Sequence, residues 1–330
     1  MAESTILPTE LEWYIFRLAA YNASDLSGIR VLMQVAWRVK NWTEPLLYRV
    51  FAIGYSPANA RYIAPSIPVL DFFAFTRLVQ DKGPAWFAQT VEDLLLINLH
   101  PGPTAEVLAA CTGVRRLTVS TLRPRRDDPA VPFESALAAL TRLEVFHGRL
   151  DHFFDVLALG FHIADQLCLA HLTHAELVDT PSAGRPPVDR DRLWRAVLAL
   201  PSLTHLACST AHWAALSADS ADAVVAALHP AGRLHAFVLI RYSPGTVPRV
   251  SAALRQRAGF VLFIHGIGYW AQDWSNGASL HEEGDFWTQA DEFIRKRTAA
   301  AGGDNGDTYA LHTPHPIPNL DQDWGKIIES

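Results

Sequence analysis

The sequence predicts an α/β solenoid, parallel strands alternating with crossover helices, behind a small headpiece of three helices. Three observations carry that prediction. A frame of the form apolar-x-x-apolar-x-apolar recurs six times from Val91 to Leu239, its first positions stepping by 23, 29, 29, 31 and 31 residues. Helical apolar spacing fills the intervals between frames. Residues 1–53 show three helical stripes instead, with Pro8 and Pro45 at helix-opening positions. A period of about 20–50 residues marks a repeat architecture, and strand–helix alternation at that period marks right-handed parallel crossovers.

In the headpiece, Pro8 suits an opening turn, where its missing N–H costs nothing. Glu10 and Glu12 sit near the positive end of that helix dipole. Leu11, Ile15 and Leu18 fall at i, i+4 and i+7 and form one apolar stripe. Ile29, Leu32, Met33 and Ala36 carry the same signature in a second helix. Pro45 opens the third, with Leu46, Leu47, Val50 and Phe51 beyond it. Residues 54–90, which include Pro57, Pro65, Pro68 and Pro84, read as a connector holding a helical piece from Phe72 to Gln80.

The repeat frames are Val91/Leu94/Leu96, Val114/Leu117/Val119, Leu143/Phe146/Gly148, Leu172/Ala175/Leu177, Leu203/Leu206/Cys208 and Leu234/Phe237/Leu239. A last, weaker unit centres on Val261 and Phe263. Each frame contains a two-residue alternation, the period of a strand whose faces differ. The steps lie within or just above the leucine-rich-repeat range, so the expected body, residues 91–300, is a leucine-rich-repeat-like solenoid. No single unit buries its own apolar face, and stability comes from stacking neighbours. A buried Leu117 contributes on the order of 1.5–3 kcal/mol, and an acidic residue in its place adds an unpaired buried charge.

Between frames, Val107, Leu108 and Cys111 form a helical pattern, and Phe133, Leu137 and Leu140 another. Leu193, Val197 and Leu200 follow Asp189, and Val224, Val225 and Leu228 follow Asp219, each Asp a candidate helix cap. The body closes with Asp285-Phe286-Trp287 and an amphipathic helix through Ala290, Phe293, Ile294 and Arg297. Arg295, Lys296 and Arg297 favour the negative end of that helix, and a polar outer face suits a solenoid cap. Residues 301–330, rich in Gly, Asp and Pro, read as a flexible tail.

Composition narrows the function classes. The 330 residues are 49% hydrophobic and 19% charged, enough to bury a large core. A net charge of −6 argues against nucleic-acid binding through a global basic field. The run Arg115, Arg116, Arg123, Arg125 and Arg126 is offset by Asp127 and Asp128 and reads as a solvated loop. Cys111, Cys168 and Cys208 are odd in number and far apart, so a disulfide framework is not expected. No signal-peptide pattern and no run of 18 apolar residues occurs, so the expected location is the cytosol or nucleus, with no membrane partner.

No catalytic residue, metal ligand or cofactor is assigned. His171 and His174 stand at i and i+3 on a proposed strand, where they face opposite sides. Cys-x-x-Cys and His-Glu-x-x-His are both lacking. His265-Gly266-Ile267-Gly268 resembles an esterase oxyanion loop, but no Gly-x-Ser-x-Gly elbow accompanies it, so the glycines read as a turn. Neither glycine-rich phosphate motif occurs, and Asp304–Asp307 lacks the spacing of a calcium loop.

A partner-binding surface is the sharper expectation. If Leu117 and Val119 point inward, Arg116, Thr118 and Ser120 point to the concave sheet face. The same offsets give Val145, His147 and Arg149; His174, Glu176 and Val178; His205, Ala207 and Ser209; Ala236, Val238 and Ile240. The middle of that face is polar, and Leu95, Ile97, Val238 and Ile240 make its ends apolar. Arg116, His147, Arg149, His174, Glu176, His205, Val238 and Ile240 are therefore the candidate contact residues. Trp270 and Trp274, near the last strand, are either partner anchors or lid packing.

The opening Leu7-Pro8-Thr9-Glu10-Leu11, with Ile15-Phe16, Val35-Ala36-Trp37 and Glu44-Pro45-Leu46-Leu47, resembles the F-box-like domain of basidiomycete proteins. The likeness covers about residues 5–53. The degenerate repeats and the ending Asp285-Phe286-Trp287…Phe293-Ile294-Arg295-Lys296 are similar to those of the same proteins. The resemblance implies a non-catalytic substrate-recognition subunit whose headpiece docks on a Skp-type adaptor of a cullin–RING ubiquitin ligase, with the repeats selecting the substrate protein. It assigns Leu7, Pro8, Leu11 and Ile15 to the adaptor-facing surface, and Val35, Trp37 and Leu47 more loosely. The short polar segment Tyr21–Gly28 departs from the family pattern. Two other readings stand beside it. One is a free-standing repeat interaction protein whose first helices only cap the solenoid, burying Leu11 and Ile15. The other is an enzyme with a pocket around His147, His174 and His205.

Overall fold

The computed structural model describes residues 7–23, 25–54, 63–65, 67–120, 133–149, 163–178, 190–229, 231–241, 250–264, 270–278, 284–300 and 310–312. The chain divides into two compact units, one of Met1–Arg142 with Trp274–Glu283, the other of Leu143–Asp273 with Gly284–Ser330.

The first unit begins with α1 (Thr9–Tyr21), α2 (Leu26–Met33) and α3 (Trp37–Leu47). Pro8 caps α1, its carbonyl accepting from the Leu11 and Glu12 N–H groups. Asp25 caps α2, accepting from the N–H groups of Ser27 and Gly28. Ala36, expected in the second helix, is the N-cap of α3 instead. Pro45 does not open a helix; it lies within α3, which begins eight residues earlier at Trp37. A small core of Ala20, Ile29 and Leu47, flanked by Leu26, Leu32, Met33, Leu46 and Tyr48, holds the three helices together. Tyr48 also meets Trp86 edge-on at 5.6 Å, and Lys82 pairs with Glu44 at 2.8 Å.

Val50 and Phe51, expected in the third helix, form β1 (Val50–Gly54), every residue of which is buried. The connector also holds structure: β2 (Val69–Leu70), α4 (Phe72–Lys82) and α5 (Pro84–Thr90). Then follow β3 (Asp93–Ile97), α6 (Pro101–Ala110), β4 (Arg116–Ser120) and α7 (Phe133–Ala138). The strands run β2-β1-β3-β4, all parallel, with Phe51, Leu94 and Leu117 in register. Phe51 packs on Phe75 of α4 and Phe87 of α5, which places those helices on the sheet face that carries Leu94 and Leu117.

The second unit contains β5 (Val145–Gly148), β6 (His174–Leu177), α8 (Arg190–Leu198), β7 (His205–Ser209), α9 (Thr210–Trp213), α10 (Ala218–Ala227), β8 (Ala236–Arg241), α11 (Ala252–Arg255), β9 (Phe260–Ile264), α13 (Phe286–Ala300) and β10 (Ala310–His312). Between β9 and α13, α12 spans Trp270–Ala278. These strands pair in chain order, and all in parallel, from β5 to β10. The three steps from β5 to β8 are each fixed by two successive N–H groups on one carbonyl: Thr173 and His174 on Glu144, Thr204 and His205 on Thr173, His235 and Ala236 on Thr204.

The six frames therefore fall on β3 to β8, and the weaker unit on β9. All six leading residues, Val91, Val114, Leu143, Leu172, Leu203 and Leu234, are buried. Phe237 packs on Trp194 and Trp213, so α8 and α9 cover the frame side of the sheet. Ser217, not Asp219, caps α10, its hydroxyl accepting from Ser220 N–H. Asp189 lies outside the described residues. The segment expected as a flexible tail contributes β10, which pairs with β9; its other residues are not described. Cys111, Cys168 and Cys208 are buried thiols, and burial pushes the Cys111 thiol up, so it acts as a small apolar filler.

Candidate functional site

The resemblance implies an adaptor-facing surface on the headpiece, and strand alternation implies a second contact surface on the sheet. Leu7 and Pro8 are exposed at the start of α1. Leu11 and Ile15 are both 51% exposed, Val35 59% and Trp37 72%. Tyr14 and Leu18 extend the stripe along α1, so its apolar i, i+3, i+4, i+7 face looks outward rather than into the headpiece core. Leu47 departs from this set: it is buried in the core with Ala20 and Ile29, because the helix face carrying it closes against α1 and α2.

The geometry beside the stripe is ordered. Arg38 pairs with Glu12 at 2.8 Å and holds the start of α3 next to the first turn of α1. Thr9, Glu10, Leu11, Trp13, Tyr14 and Trp42 line an open groove of about 500 Å³. Arg17 lies over the Trp13 ring at 4.5 Å, and Lys40 over Trp37 at 5.0 Å, so cations rim the exposed aromatics.

The expected concave face divides by neighbour. Arg116, on β4, faces Asp93 at 3.8 Å, and Asp93 also meets Arg49 at 4.0 Å. Those separations are too long to offset burial, which raises the Asp93 carboxyl to about 6. In the second unit, His147 on β5 hydrogen-bonds Glu176 on β6, and Arg149 is half-buried just past β5. His174 and His205, in register on β6 and β7, stack at 4.0 Å with planes 12° apart. Trp287 of α13 meets both rings edge-on, at 5.2 and 5.9 Å.

Val238 and Ile240 correct the expectation of an exposed apolar rim. Both are buried, with Ala207, Ala236, Val261 and Phe263, beneath Phe286, Trp287, Ala290 and Ile294 of α13. The closing helix was legible as amphipathic; its seat on the opposite sheet face was not. Leu95 and Ile97 are buried as well. Trp274 is buried in α12 and offers no partner anchor, while the Trp270 side chain and His265–Gly268 lie outside the described residues.

The same helix assembles a polar group that no local spacing signals. Asp291, one turn past Trp287, reaches His205 Nε2 at 3.0 Å and His235 Nε2 at 3.5 Å. His205 Nδ1 lies 2.8 Å from Thr204 Oγ1, which donates to the Thr173 carbonyl at 3.2 Å. Thr173 and His174 repeat the arrangement one strand earlier, with Thr173 Oγ1 donating to the Glu144 carbonyl. Burial lowers the His205 pKa, and the Asp291 carboxylate opposes that shift without cancelling it.

Among the described residues no helix is long and apolar enough to cross a membrane. No family model matches the chain, and comparisons with curated proteins and with solved structures likewise return no match.

Proposed function

We propose that this chain is a non-catalytic protein-interaction adaptor that docks a partner through the outer face of its helical headpiece. One observation carries the reading: the outward stripe of Leu7, Leu11, Tyr14, Ile15 and Leu18 on α1, joined by Val35 and Trp37 at the α2–α3 turn. Single exposed apolar residues are ordinary on any surface, but a clustered row beside a groove marks an interaction site. The aromatic-and-cation rim adds the residue types favoured at binding hot spots.

The F-box-like likeness supplies the partner in this reading, a Skp-type adaptor, and a ubiquitin-ligase subunit is then the assembly it belongs to. Six of the seven residues assigned to adaptor contact are exposed, and only Leu47 leaves the set. The capping alternative needs Leu11 and Ile15 buried against the first repeat; their exposure speaks against it, and contacts from α3 to α4 and α5 serve that purpose instead. In the same reading the parallel body is a leucine-rich-repeat-like solenoid that selects a second protein.

Purified Skp-type adaptor, titrated into the full-length protein, tests this. Leu11→Asp and Trp37→Asp place a charge on exposed positions, so folding is retained and circular dichroism should match the parent. The expected result is saturable binding that each substitution weakens by about tenfold or more, about 1.4 kcal/mol. Absence of binding by the intact protein would remove the ligase assignment.

A further inference from the structure

The His205–His235–Asp291 group reads differently from the stacked ladder beside it. A threonine hydroxyl has one proton. When Thr204 donates its own to the Thr173 carbonyl at 3.2 Å, its oxygen is the acceptor for a proton on His205 Nδ1, 2.8 Å away. In the neutral ring Nε2 is then the lone-pair nitrogen, and it faces a carboxylate oxygen at 3.0 Å. That nitrogen and the carboxylate oxygen then face one point as two ligand atoms. His235 adds a second imidazole nitrogen, and the three ligand atoms lie within 4.8 Å of one another. Tetrahedral zinc, with bonds of about 2.0–2.1 Å, holds its ligand atoms about 3.3 Å apart. Separations of 3.0 and 3.5 Å from Asp291 Oδ1 fall on either side of that value.

We propose that His205 Nε2, His235 Nε2 and Asp291 Oδ1 form a binding site for a borderline divalent transition metal of the Zn²⁺ class. Two imidazoles and one carboxylate suit such an ion and not Ca²⁺ or Mg²⁺, which take all-oxygen shells. Thr204, and Thr173 behind it, supply the outer-sphere hydrogen bond that orients a metal-ligating histidine. His235 and Asp291 are solvent-accessible, at 56% and 44% of their side chains, which gives the ion an entry path and leaves a fourth position to water. The ligands come from β7, the residue preceding β8, and α13. Bound metal therefore pins the closing helix to two strands at the polar edge of its apolar seat. This site is separate from the headpiece, and its fate is independent of the adaptor reading.

The test uses the full chain freed of metal by a chelator. Zn²⁺ alone is titrated by calorimetry, and Co²⁺ alone is followed by its visible absorption. One saturable equivalent is expected, with Co²⁺ bands of a nitrogen–oxygen site, undisturbed by excess Mg²⁺. Asp291→Asn and His235→Ala alter accessible positions and leave the core intact; each is expected to weaken the equivalent by roughly tenfold or more, and Thr204→Val by about tenfold. The proposal is overturned if no saturable equivalent is found, or if the equivalent survives both Asp291→Asn and His235→Ala unchanged.

Discussion

Asp93 opens β3 with its carboxyl buried between two guanidinium groups that stand too far away to keep it ionised at mildly acidic pH. Burial raises its folded pKa to about 6, above the ordinary carboxyl value of 3.8, so between those values the folded chain holds a proton the unfolded chain has released. Stability from this group is therefore lost as pH rises through that window and regained as pH falls toward 4. Denaturant midpoints of the parent and Asp93→Asn, compared at pH 4.5 and pH 7, check this: the asparagine form should gain on the parent as pH rises. At this scale the sequence was a partial guide. The offsets that named His147, His174, Glu176 and His205 as one face were correct, because pleat alternation is local. They could not show that Trp287 would lie across two of these rings, or that Asp291 would complete a group with His205 and His235. Those contacts join positions 205, 235 and 291, and no motif spacing records them. Val238 and Ile240 misled for the same reason: alternation gives the face, but what covers the face comes from α13.

At the level of elements, the repeat was legible because each frame pairs a period-two strand with a leading residue that must be buried. Leu117 and Leu206 are wholly buried where the frame demanded it, and Phe237 meets Trp194, Trp213 and Phe260. Phe237→Ala is expected to cost about 3–5 kcal/mol in a urea-unfolding measurement, whereas Leu18→Ala on the exposed stripe should stay within about 0.5 kcal/mol of the parent. Gly113 is a backbone requirement that the frame did not announce: a Cβ there would sit 1.9 Å from the Ala88 carbonyl oxygen. Gly113→Ala should therefore destabilise by about 1–3 kcal/mol. β1 was missed because Val50-Phe51-Ala52-Ile53 is an unbroken apolar run, for which periodicity does not separate strand from buried helix. The preceding proline drew the helical reading one element too far, since Pro45 is carried inside α3. The connector hid α5 and β2 behind its prolines, although Pro84 in fact starts α5.

For the whole molecule, composition and period were enough to place it among α/β proteins with parallel strands; those of the second unit pair in chain order, whereas in the first unit β2 lies outside β1, giving β2-β1-β3-β4. The division at Arg142 and Leu143 was not legible, since the frame continues through it at a constant 29-residue step. Apolar periodicity on α1 was also read correctly as a stripe, but a stripe does not say whether it faces a core or a partner. Among the described residues the headpiece core is built instead from Ala20, Ile29 and Leu47. The adaptor account stands on that outward face, and amide hydrogen exchange of the full-length protein with and without purified Skp-type adaptor probes it most directly. The account predicts slowed exchange in the bound state confined to residues 9–21 and 31–38. Unchanged exchange across both segments, with protection instead on the strands or nowhere, would contradict it.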